Sequence, residues 1–106
     1  MSEPLVEVLT FKGCPHAEPA LALVRRVIAE SDIGATVRRV DVPDPRAAVE
    51  QRFLGSPTIR VNGRDIEPGV GERDDYALSC RVYRTEGGLK GEPDERWLRE
   101  ALRAHT

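Results

Sequence analysis

Along the chain the apolar residues change their spacing several times, and each change marks an element. Leu5-Val6-Glu7-Val8-Leu9-Thr10-Phe11 is apolar or β-branched at nearly every position, the pattern of a strand covered on both faces in the middle of a sheet. From Ala17 onward the apolar positions Ala17, Ala20, Leu21, Val24, Val27 and Ile28 recur at three and four residues, while Glu18, Arg25, Arg26 and Glu30 take the other side. That spacing predicts an amphipathic helix. Pro15 and Pro19 fall around its first turn, where a missing N–H costs little, and Gly34 supplies the expected stop. Ala35-Thr36-Val37-Arg38-Arg39-Val40-Asp41-Val42 alternates and is rich in β-branched residues, so a second strand is expected, returned by the helix to run parallel to the first.

Asp44-Pro45 matches an N-cap followed by proline at the first helical position. Ala47, Ala48, Val49, Phe53 and Leu54 then give a second helix a modest apolar face that Gly55 should end. Thr58-Ile59-Arg60-Val61 predicts a short strand, Asn62-Gly63 a tight hairpin turn, and Arg64-Asp65-Ile66 its returning partner. Residues 67–75 hold two glycines, one proline and five charges, the composition of an exposed loop. Residues 77–85 alternate, with Leu78, Cys80 and Val82 on one face against Ser79, Arg81 and Tyr83 on the other, which predicts an extra extended segment closed by Glu86-Gly87-Gly88. Pro93-Asp94-Glu95 opens a last helix whose buried stripe is Trp97, Leu98, Ala101 and Leu102. The expected order is β-α-β-α-β-β-α, an α/β fold on a mixed four-stranded sheet with the segment near 77–85 added to it.

At 106 residues the chain is the size of one domain, 1–106, without internal repeats. No apolar run approaches the roughly 20 residues of a membrane span. Met1-Ser2-Glu3-Pro4 carries no secretory pattern, so a cytoplasmic protein is expected. Net charge is −2, with arginines scattered among acidic residues, which gives no electrostatic footprint for nucleic acid. Arg60, Arg64 and Arg81 are accordingly expected on solvated surface and take no role, and His105 is expected in a disordered end. Two cysteines without an export signal point to free, catalytic or metal-binding thiols rather than a structural disulfide.

The chemistry concentrates at Phe11-Lys12-Gly13-Cys14-Pro15-His16, where a strand ends, a glycine turns the backbone and a cysteine stands at the start of a helix. Unpaired N–H groups and the positive end of the helix dipole there favour thiolate over thiol. His16 is close enough to tune that thiolate or to donate a proton to a leaving thiol; its other reading is an exposed first-turn histidine. Cys80 also has two readings, a small residue buried between Leu78 and Val82, or a distant partner for Cys14. The spacing of Cys14, His16 and Cys80 matches no standard zinc pattern, and no metal is assigned.

The element order, together with Gly13-Cys14-Pro15 after the first strand and Gly55-Ser56-Pro57-Thr58 before the third, resembles the thioredoxin and glutaredoxin superfamily along nearly the whole chain. The resemblance implies that Cys14 is the active cysteine, that the Ser56-Pro57 bond is cis, uncommon even before proline, and that Pro15, Ser56, Pro57 and Thr58 shape a groove where the Ser56 backbone pairs with a thiol-bearing partner. The common Cys-x-x-Cys motif here reads Cys14-Pro15-His16-Ala17, so no disulfide can close inside it. What remains resembles a monothiol glutaredoxin-like protein, and Gly-Cys-Pro with the late Ser79-Cys80-Arg81-Val82-Tyr83 also resembles small bacterial thioredoxin-like chains. It implies exchange with a thiol- or disulfide-bearing protein or small molecule, no bound cofactor, and a low-molecular-weight thiol such as glutathione or mycothiol as co-substrate. The alternative is a scaffold of the same fold that binds a protein or a soft metal ion without turnover.

Overall fold

A hydrogen-bonded centre forms around β1 (Leu5–Thr10), flanked on one side by β2 (Thr36–Asp41) and on the other by β3 (Thr58–Val61), with β4 (Arg64–Asp65) at the edge. The structure, a computed structural model, describes residues 3–104; His105 lies outside the described residues. β1 and β2 run parallel, with Val6 opposite Val37, and β1 and β3 run antiparallel, with Leu9 opposite Thr58. Asn62 and Gly63, both at positive φ, make the tight turn into β4. A mixed four-stranded sheet with three helices is therefore present, as the hydrophobic pattern predicts.

α1 (Ala17–Ser31) and α3 (Glu95–Ala104) cover one face, burying Ala20, Leu21, Val24, Val27, Leu98 and Leu102 against Val6, Val8, Ile59 and Val61. α2 (Pro45–Glu50) covers the other, where Ala48 and Phe53 meet Leu9 and Val42. The alternation along β1 makes this possible, since successive side chains point to opposite faces. Trp97 and Ala101 are only half-buried, at the margin of the first cluster.

The expected helix ends need correction. α1 stops before Gly34, because Asp32 takes the left-handed conformation (φ 56°) that ends the helix. α2 stops at Glu50, not at Gly55. Arg52 adopts φ 53°, its amide bonds to the Val49 carbonyl (3.1 Å) and the Phe53 amide to that of Ala48 (2.8 Å). That is a Schellman closure built without glycine. The early turn drops Phe53 into the core, where it has no exposed surface.

The largest correction concerns residues 77–85. They alternate, but the opposite face is buried: Arg81 and Tyr83 are inside, Cys80 is exposed, Val82 is 63% exposed, and Leu78 is half-buried beside the α2 cluster. Tyr83 fills more volume than valine or cysteine and finds a partner for its hydroxyl in the Pro57 carbonyl, while Arg81 meets two carboxylates inside. The segment does not lengthen the sheet either. Cys80 makes one isolated parallel bridge to Ser56, and β5 (Tyr83–Thr85) pairs with β6 (Gly88–Lys90) as a separate hairpin. Glu86 and Gly87 thus turn the chain into a strand the sequence pattern did not predict. Among the described residues no helix is long and apolar enough to cross a membrane.

Candidate functional site

Past the end of β1 the chain turns through Lys12 and Gly13, and the Cys14 amide donates back to the Phe11 carbonyl at 3.2 Å. The Cys14 carbonyl then accepts from the Ala17 amide at 3.3 Å. Cys14 therefore precedes α1 rather than opening it; His16 is the N-cap residue and the helix starts at Ala17. The helix dipole falls off within a turn, so it acts on Cys14 less strongly than a cysteine inside the first turn would feel. Cys14 is a free thiol, with 9% of its surface exposed.

His16 makes no side-chain cap. Its Nδ1 lies 2.7 Å from Glu92 Oε2, and its ring rests on Gly91, so close that a Cβ there would stand 2.5 Å from three ring atoms. The ring is thus tied to the chain that follows β6. Glu92 and Gly91 were not legible as partners of His16, since nothing in their local pattern marks a long-range contact.

The residues expected to form the groove divide. Pro15 is exposed, while Ser56, Pro57 and Thr58 are buried. The Ser56-Pro57 bond is cis, as the resemblance implies. The Ser56 backbone, expected to receive a partner, is already engaged by the chain itself: its amide donates to the Ser79 carbonyl (2.8 Å) and its carbonyl accepts from the Arg81 amide (2.9 Å). Thr58 serves the interior, its Oγ1 donating to the Gly55 carbonyl (2.6 Å) and accepting from Arg81 Nη1 (3.0 Å).

Arg81 is buried rather than on the solvated surface expected of it. Its side chain is 1% exposed and its guanidinium bonds Asp65 (2.7 Å) and Glu67 (2.7 Å), with the Tyr83 ring 4.4 Å away. Burial lowers its proton affinity, but the hydrogen bonds and charge of the surrounding groups, Asp65 foremost, more than offset this and hold it charged above its ordinary range. Burial pushes the Tyr83 hydroxyl up, so it stays a neutral donor to Pro57. Arg60 also leaves the surface role expected of it: its Nη2 bonds the Gln51 and Arg52 carbonyls at the end of α2, and burial lowers its proton affinity. Arg64 is exposed as expected. The signal that could have revealed Arg81 was an arginine in phase with Tyr83, downstream of two carboxylates spaced two apart at Asp65 and Glu67.

Two hollows of about 570 and 660 Å³ open elsewhere, one between β4 and α3 beside Arg64 and Trp97, the other beside Arg26 and Glu92. Neither is lined by Cys14 or Cys80. Among the described residues no group of three or more His, Cys, Asp or Glu side chains is placed to hold a metal ion. No protein-family model and no curated protein matches the chain.

Proposed function

We propose that the chain is a thioredoxin-like thiol–disulfide exchange protein with Cys14 as its nucleophile. The observation that carries this reading is the position of Cys14: immediately past the central strand β1, before α1, at the end of the sheet where β3 is entered through the cis Ser56-Pro57 bond. Ala17 stands where a dithiol motif would hold its second sulfur and is itself buried in the helix. The Cys14 thiolate attacks one sulfur of a disulfide, the S–S bond breaks, the leaving sulfur takes up a proton, and Cys14 keeps the other half as a mixed disulfide. A low-molecular-weight thiol of the glutathione or mycothiol class serves as co-substrate. Two free thiols suit a reducing compartment, the cytoplasm.

The test is reduction of a small mixed disulfide with glutathione as reductant, by the wild-type protein and by Cys14→Ser. Turnover by the wild type that is lost in the variant supports the reading; equal rates overturn it. The low exposure of Cys14 and the filled backbone of Ser56 favour a second reading, a binding module for a protein or a soft metal ion that keeps this fold without turnover. Absence of turnover in the wild type, with partner or metal binding unchanged in Cys14→Ser, would establish it.

A further inference from the structure

We propose that Cys80 is the second thiol of this site and resolves, within the same chain, a mixed disulfide formed on Cys14; the proposal rests on the reading of Cys14 as the nucleophile. Placement comes first. Cys80 bridges Ser56 directly, held by hydrogen bonds through the residues on either side of it. Ser56 lies two residues before Thr58, which pairs with Leu9; Cys14 follows Leu9 by five residues and is tied back to Phe11. Both cysteines therefore stand at the same end of the central strands. Cys80 thus lies one strand spacing from Ser56, and a disulfide with Cys14 requires their Cα atoms to come within roughly 7 Å.

Orientation is the second observation. Residue 81 is anchored inward by Asp65, Glu67 and Thr58, and Tyr83 is anchored by the Pro57 carbonyl. The alternation of an extended chain then turns Cys80 outward, between the anchored Arg81 and Ser79, whose carbonyl accepts the Ser56 amide. It is exposed, free and absent from both core clusters, so it has no packing role there. The Arg81 anchor instead fixes the position of a reactive group.

The chemistry balances with an external low-molecular-weight disulfide as oxidant. Cys14 attacks it, releasing one thiol and retaining the other half as a mixed disulfide. Cys80 then loses its proton, its sulfur attacks Cys14 Sγ, the mixed S–S bond breaks, and the second thiol leaves protonated. The protein has given up two electrons and two protons to form Cys14–Cys80, and one disulfide has become two thiols. An external thiol pair reverses the cycle.

The experiment treats the reduced full chain, and its Cys80→Ser variant, with glutathione disulfide, and reads intact mass and non-reduced peptide maps. The wild type is expected to become lighter by two hydrogens, with the peptides bearing Cys14 and Cys80 joined. Cys80→Ser is expected to accumulate the glutathione adduct on Cys14, roughly ten-fold more than the wild type. Equal accumulation of that adduct in both proteins overturns the proposal and leaves the Cys14 reading standing. A Cys14 that forms neither adduct nor disulfide in either protein overturns both.

Discussion

The Arg81 amide donates to the Ser56 carbonyl at 2.9 Å, and the Arg81 side chain reaches Thr58, two residues further along. One residue thus fixes residues 79–81 against the entrance to β3 through both its backbone and its guanidinium. Three charges meet there, Arg81 against Asp65 and Glu67, with the carboxylates only 15% and 18% exposed. A pair of carboxylates so close together is tolerable only while the guanidinium lies between them.

Arg81→Ala should therefore cost far more than the loss of a surface arginine. It leaves both carboxylates without their cation and opens the contact with the Tyr83 ring, and we expect a destabilisation of roughly 3 kcal/mol. Urea unfolding followed by Trp97 fluorescence measures it; a loss below about 1 kcal/mol, the range of exposed pairs, would show that the cluster is solvated. Arg81→Lys should recover only part, because an ammonium cannot hold two carboxylates and a hydroxyl with the geometry of the guanidinium fork.

Gly55 should be nearly as intolerant. A Cβ there would stand 2.9 Å from the Arg81 Cβ and 3.2 Å from its backbone, and the residue holds φ +119°. Gly55→Ala is expected to cost about 3 kcal/mol, combining backbone strain with displacement of residues 79–81. Gly63 separates the two causes, since it has φ +83° but no atom within 4 Å of an added Cβ. Gly63→Ala should cost only about 1–2 kcal/mol. Equal losses in denaturant melts of the two variants would remove the contact with Arg81 from the account.

The central architecture was legible because its signals are local: period 3.6 over Ala17–Ser31, the apolar run of β1, Asn62-Gly63, and the Asp44 cap, whose carboxylate accepts the Ala47 amide at 2.8 Å. The same signals placed Cys14 between β1 and α1, two residues closer to the helix than the His16 cap allows. Residues 77–85 were not legible, since period-2 alternation gives two faces without saying which is buried. Hydropathy favours the face of Leu78, Cys80 and Val82. The decision fell to counter-charges at Asp65 and Glu67 and to a carbonyl at Pro57, all remote in sequence. The bond of His16 to Glu92 escaped for the same reason, its partner being remote in sequence, whereas β6 pairs locally with β5 across Glu86-Gly87, where the pattern predicts only the end of the segment.

Asp94 yields a pH-dependent prediction. It stands just before α3 and its Oδ1 accepts the Arg96 amide at 3.0 Å. The Arg96 side chain first, then the backbone amides, hold its carboxyl below the ordinary value of 3.8. A lowered value in the folded state means that the stabilisation is fully present above pH 3.8 and is lost as the pH falls through the folded value. Asp94→Ala should cost about 1 kcal/mol near pH 7. Asp94→Asn keeps a capping oxygen but no charge, so the stability difference between wild type and Asn should be constant at neutral pH and shrink below about pH 3.8. Urea melts at a series of pH values read it directly, and a difference that grew on acidification would contradict the assignment.

Gly91 and His16 supply a double-mutant test of how the segment carrying Cys14 is held. Gly91 is not at positive φ, so an alanine there escapes the left-handed penalty; the atoms nearest its Cβ would be Cδ2, Cε1 and Nε2 of the His16 ring, each at 2.5 Å. Gly91→Ala should therefore push the ring away from Glu92 and cost about 1–2 kcal/mol. His16→Ala alone removes a partly exposed pair, with side chains 41% and 32% exposed, and should cost less than about 1 kcal/mol. Once the ring is gone that clash is gone, so the double variant should be no less stable than His16→Ala, a non-additivity equal to the cost of Gly91→Ala, about 1–2 kcal/mol. Because His16 lies two residues from Cys14, the alkylation rate of Cys14 should follow the same cycle: altered in Gly91→Ala, and in the double variant equal to that of His16→Ala. Strict additivity in both readouts would mean that the loop after β6 and the Cys14 segment are held independently.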